Sequence, residues 1–145
     1  MAEAIWAERE DLAKRLFTPR VSYVHGRSRQ TPKFWPVQDL RHGNWLVIGT
    51  LIQRDFFLSL GGFNSRFHGY EDWELWLKAH LAGAKITKVP KAVYIAHVDP
   101  GSRNRGSSKE ERVRWHYEIG REHCPEIYNE DWLSVHMPRA RAGRR

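Results

Sequence analysis

Gly61-Gly62-Phe63, then Gly69-Tyr70-Glu71-Asp72-Trp73-Glu74-Leu75-Trp76, then His97: the reading of this stretch decides the fold. The pattern from Glu71 to Leu81 predicts a helix, opened by adjacent acids and closed before Gly83. Trp73, Leu75, Trp76, Leu77, Ala79 and Leu81 cover most of its circumference, so it is expected to be buried on several sides. Glycines precede it in a loop over residues 64–70, and a histidine follows on an expected strand.

Working upstream, residues 54–60 predict a short helix stopped by Gly61 and Gly62. Residues 45–52, with Leu46, Val47, Ile48, Leu51 and Ile52, predict a buried strand. Residues 27–43 are polar, carry Pro32 and Pro36, and predict a long loop. Val21, Tyr23 and His25 predict a short strand, and residues 3–17 an amphipathic helix closed by Thr18 and Pro19. Downstream, residues 86–89 and 92–98 predict two strands separated by Pro90. Residues 99–108 predict a Gly/Ser/Asn loop and Lys109–His123 a second amphipathic helix, with the remainder irregular. Helices alternating with strands indicate an α/β architecture. Residues 1–135 are read as one domain and 136–145 as a basic flexible tail.

Composition narrows the function classes. The chain has 145 residues, 41% hydrophobic and 28% charged, which fits one soluble globular domain. Its formal charge of +7 suits a polyanionic ligand, but Arg103 and Arg105 sit in one loop and Arg139, Arg141, Arg144 and Arg145 in the tail. No basic-aromatic RNA motif, helix-turn-helix pattern or Cys/His zinc spacing is present, which argues against nucleic acid. Cys124 is the sole cysteine, so no internal disulfide is expected. With no apolar run of membrane-spanning length and no leader pattern, a cytoplasmic location is expected. Seven tryptophans can build a core or stack on sugars.

Glu71 and Asp72 are the first chemical candidates. Carboxylates in a helix's first turn meet unpaired amide N–H groups and the positive end of the dipole, which explains acids here without any catalysis. The same placement also fixes an ionised carboxylate beside a loop, where it can take a proton from a hydroxyl. Tyr70, Trp45 and Trp73 are candidates for a sugar-stacking wall, while Trp76 is assigned to the core.

The glycine pair, the Glu71-Asp72-Trp73 run, Gly83, Val89-Pro90, and His97 followed by Gly101-Ser102 resemble the C-terminal, acceptor-side part of inverting family 2 GT-A glycosyltransferases. The galactosyltransferase C-terminal segment is similar. The resemblance spans roughly residues 20–106. It implies that Asp72 deprotonates an acceptor hydroxyl, which displaces a nucleotide diphosphate from the anomeric carbon in one inverting step, with Glu71 in support. It further implies that His97 completes a Mn²⁺ or Mg²⁺ site on the diphosphate; imidazole suits Mn²⁺ better. Ser102, Arg103 and Arg105 would contact the diphosphate, as guanidinium forks match phosphate oxygens; an ordinary exposed basic loop is the other reading.

In that family the nucleotide sits on an N-terminal half ending in an Asp-x-Asp metal motif, and this sequence does not spell that half. The segment 4–17 resembles the helix that follows the Asp-x-Asp strand. Three readings stay open: a split enzyme completed by a partner carrying the Asp-x-Asp half, a fragment, or a non-catalytic binding or assembly protein on a degenerate transferase fold.

Overall fold

The computed structural model describes residues 12–67, 69–99 and 107–137. Its architecture is mixed α/β: a three-stranded sheet with flanking helices. The elements are β1 (Arg15–His25), β2 (Ser28–Arg29), α1 (Arg54–Ser59), α2 (Glu71–Leu81), β3 (Lys85–His97), α3 (Lys109–His123) and α4 (Glu130–His136). Strand order is β2-β1-β3, with β1 antiparallel to β2 and parallel to β3.

The β1–β3 ladder runs from Arg15↔Lys85 to Val24↔His97. Its register shifts between Pro19 and Arg20, where Pro19 faces Val89 but Arg20 faces Val93. Proline has no N–H to give a ladder, so an irregularity falls where Pro19 and Pro90 lie. The two strands expected over 86–98 are therefore one strand with a bulge. The ladder also shortens the helix expected over residues 3–17. Most of that range lies outside the described residues; Leu12 and Ala13 are helical, but Arg15, Leu16 and Phe17 are paired in β1 with Leu16 fully buried. Tertiary pairing has overridden the local helical pattern.

The strand expected over residues 45–52 is absent. Leu46 N donates to Asn44 Oδ1 (2.9 Å), Thr50 N to Val47 O (2.9 Å), and only Leu51 pairs in sheet fashion, with Phe17. Trp45, Leu46 and Val47 are buried while Ile48 and Leu51 are exposed. A Cβ on Gly49 would lie 2.5 Å from the Tyr94 ring, so the turn is laid directly over that side chain.

The core is built around α2. Trp73, Leu75, Trp76, Leu77 and Ala79 are all buried, joined by Leu16 from β1, Phe56 from α1, and Tyr117 and Ile119 from α3. At about 25 cal/mol per Å² of apolar area, each large side chain contributes on the order of 2 kcal/mol. On its core side α2 also buries Glu74, which is 1% exposed. Glu74 Oε1 lies 2.9 Å from His123 Nε2, and Lys78 Nζ lies 2.9 Å from Oε2 while donating to Gly62 O (3.1 Å). This network ties α2 to the end of α3 and to the glycine turn.

α3 starts at Ser108, which accepts from Glu111 N while Glu111 returns a bond to Ser108 N, a reciprocal cap. α4 was not expected from the sequence. Asn129 caps it by accepting from Trp132 N (3.1 Å), and Glu130 and Asp131 fill its first turn. Among the described residues, no helix is long and apolar enough to cross a membrane.

Candidate functional site

α2 opens without a conventional cap. Tyr70 occupies the N-cap position at φ 62°, in the left-handed region, and makes no side-chain cap bond. For a bulky residue that conformation costs on the order of 1–2 kcal/mol. The ring is held edge-to-face by Trp73, Trp115 and His116 at 6.1–6.5 Å. Gly69 lies just before it, where a Cβ would come within 2.5 Å of the Trp115 ring, so only glycine lets the loop approach α3 this closely.

With Tyr70 giving no cap, Asp72 serves the helix start itself: its Oδ1 accepts from Trp73 N at 2.8 Å. Its Oδ2 accepts from Asn44 Nδ2 at 3.1 Å. The Asn44 amide is oriented by its own oxygen, which takes the Leu46 N–H, leaving its NH₂ to face Asp72. Burial lifts the Asp72 carboxyl above the ordinary aspartate range; the Trp73 amide partly offsets this, and the neighbouring Glu71 charge adds to the rise. Among the described residues no cation pairs with Asp72.

Asp72 and Glu71 line a cavity of about 680 Å³. β1 contributes Val21 and Tyr23, β3 contributes Tyr94 and Ala96, and the 27–50 segment contributes Trp35, Asn44 and Leu46. Tyr23 and Trp35 stack with centroids 6.4 Å apart and planes 19° apart. This volume falls within the range of small-molecule sites, and two carboxylates beside aromatic walls suit a polyhydroxylated ligand.

Of the expected stacking residues, Tyr70 and Trp73 line the cavity. Trp73 does so with one edge, because it is 1% exposed and its indole donates to Leu40 O (2.8 Å). Trp45 packs in the core, is not among the lining residues, and has Lys88 Nζ 5.8 Å from its ring centroid. The aromatic wall that does face the cavity is Tyr23–Trp35, which the sequence reading did not single out. Their loop and strand positions carried no signal that they would meet.

His97 stands at the exposed end of β3 and is not among the lining residues. Tyr94 and Ala96 line the cavity, and strand alternation sends His97 to the other face. Among the described residues no three His, Cys, Asp or Glu side chains form a group able to hold a metal ion. The described residues therefore do not by themselves form a site for the Mn²⁺ or Mg²⁺ that the resemblance implies. Ser102, Arg103 and Arg105 lie outside the described residues.

His116 was also missed. It lines the cavity from α3, its ring centroid 4.2 Å from that of Trp73, and its Nε2 is 2.9 Å from the Tyr128 hydroxyl. Tyr128 in turn donates to Arg41 O at 2.8 Å. Burial holds the imidazole neutral, lowering it to about 4, with a hydrogen bond to the His42 backbone opposing. The turn that supplies these carbonyls is fixed by Asp39, which takes Arg41 Nη2 at 2.6 Å and Arg41 N at 2.9 Å. No protein family, curated protein or solved structure matches this chain.

Proposed function

We propose that this chain provides the acceptor side of an inverting, nucleotide-sugar-dependent glycosyltransferase, with Asp72 as general base. The observation that carries the reading is the setting of Asp72: a half-buried, cavity-facing carboxylate that accepts two hydrogen bonds and has no cation partner among the described residues, its carboxyl lifted by burial. A carboxylate raised by burial is a stronger proton acceptor than one held low by a cation. Positioned by Asn44 and Trp73 N–H, it would take the acceptor hydroxyl proton as that oxygen attacks the anomeric carbon of the donor sugar. Inversion needs only one such base. Glu71 lines the same cavity and its charge keeps the Asp72 proton affinity high. Tyr23 and Trp35 supply a flat wall for the sugar ring.

In this reading the donor's nucleotide is held by a partner protein carrying the Asp-x-Asp half or by a segment outside this sequence, together with Ser102, Arg103 and Arg105. A metal, if used, would neutralise the leaving diphosphate; no role of the described residues depends on it. The test is titration of the purified chain, and of whatever co-purifies with it, with UDP, GDP and their sugars, with and without Mn²⁺. Nucleotide-sugar binding by the chain or its complex supports transfer. Absence of binding in both favours the non-catalytic binding protein.

A further inference from the structure

A second cavity of about 400 Å³ lies against the first. His42, Tyr70 and His116 line both, so the two cavities adjoin. Their chemistry is opposite. Asp72 and Glu71 line the first, whereas among the described residues no carboxylate lines the second, where Lys109 and Arg112 enter from one face of α3 and His136 from α4.

Lys109 and Arg112 are three positions apart, one helical turn, and both are exposed. Among the described residues neither has an ion-pair partner. Arg112 Nη1 donates to Ser107 O at 2.9 Å, which orients the guanidinium without neutralising it. Behind these cations stand Tyr128 and Trp132, and an apolar backing strengthens whatever charge interaction forms in front of it. Two unneutralised cations and an imidazole converging on one aromatic-backed hollow match a compact anion with several oxygens; the guanidinium fork and the ammonium are the donors a phosphate monoester uses.

We propose that this cavity seats the phosphate of a small phosphorylated acceptor whose hydroxyl reaches Asp72 in the adjoining cavity. The acceptor role rests on the glycosyltransferase reading above; the phosphate seat itself does not. Calorimetric titration with glucose 6-phosphate, glucose, glucuronate and inorganic phosphate tests it. The sugar phosphate binds more tightly than glucose, glucuronate or inorganic phosphate. Lys109→Ala/Arg112→Ala weakens both phosphate ligands about tenfold or more, the loss expected for charge-assisted hydrogen bonds. Lys109→Glu, a single change at an exposed residue, weakens them in the same direction and guards against a misfolded double variant. Asp72→Asn leaves inorganic phosphate affinity unchanged, so a failed base assignment is read from transfer and a failed phosphate seat from binding. Equal affinity of wild type and both α3 variants overturns the proposal, as does glucose or glucuronate binding as tightly as glucose 6-phosphate.

Discussion

Two carboxylates on the first turn of α2, Asp72 and Glu74, are treated in opposite ways by the fold. Glu74 faces the core. Burial pushes its carboxyl up, but His123 and Lys78 more than offset this and leave it below the ordinary range. Asp72 faces the cavity with an amide and a backbone N–H but, among the described residues, no cation, and is left above it. The contrast separates a structural acid from a poised one. A buried carboxylate kept for stability is matched by cations, because an unmatched one costs free energy. Asp72 carries that cost, as reactive groups in clefts do.

The largest expected effect breaks the comparison on the cavity side. Asp72→Asn lowers transfer by about a thousandfold, within the range for loss of a general base. Its stability effect is small: a hydrogen bond to Asn44 is lost, but the desolvated charge goes too, for a net within about 1 kcal/mol in urea denaturation at neutral pH. Glu74→Gln inverts that pattern. It leaves the partly buried Lys78 without its counter-charge and costs about 3 kcal/mol by the same denaturation measurement.

The pH dependence sharpens the contrast. Glu74 has a depressed folded pKa, so its contribution is present above the unfolded value and is lost as pH falls through the folded one. Asp72 has a raised folded pKa, so its effect on stability runs the other way, declining as pH rises from the unfolded value through the folded one. His116 adds a third signature. Unfolded, the histidine protonates near 6.5; folded, only near 4, so stability falls as pH drops through that window. The loss is about 3 kcal/mol, and in His116→Phe this part of the slope disappears from denaturation curves taken across it.

The smallest effect concerns Asn44. Asn44→Ala removes the amide that lowers Asp72 and the oxygen that takes Leu46 N–H. The acid limb of the pH–rate profile then moves to higher pH, and stability falls by about 1 kcal/mol.

How legible the fold was followed the reach of each signal. α2 and α3 matched their expected bounds because their starts and stops are written locally, in Glu71-Asp72 and Gly83, and in Ser108 with Glu111. Arg15–Phe17 and residues 45–52 misled because distant partners set their conformation: β3 pairs the first, and Tyr94 lies against Gly49 in the second, which periodicity does not report. α4 had a readable signal, Asn129 before two acids, that was passed over. The site divided the same way. Glu71, Asp72 and Tyr70 adjoin in sequence, and all three line the cavity. Tyr23, Trp35, Asn44 and His116 line it too but carry no local signal, because long-range folding alone assembles them. His97 and Trp45 showed chemistry in type but not in direction: strand alternation turns one away, and the core takes the other.

The central claim is that Asp72 deprotonates an acceptor hydroxyl. It is tested most directly by transfer from labelled UDP- and GDP-sugars to glucose 6-phosphate and a panel of hydroxyl acceptors, using the chain with its co-purified partner, wild type against Asp72→Asn. The account predicts turnover by wild type and about a thousandfold less by the variant, with both equally folded. Equal turnover by the two, or no transfer from any nucleotide sugar, would contradict it.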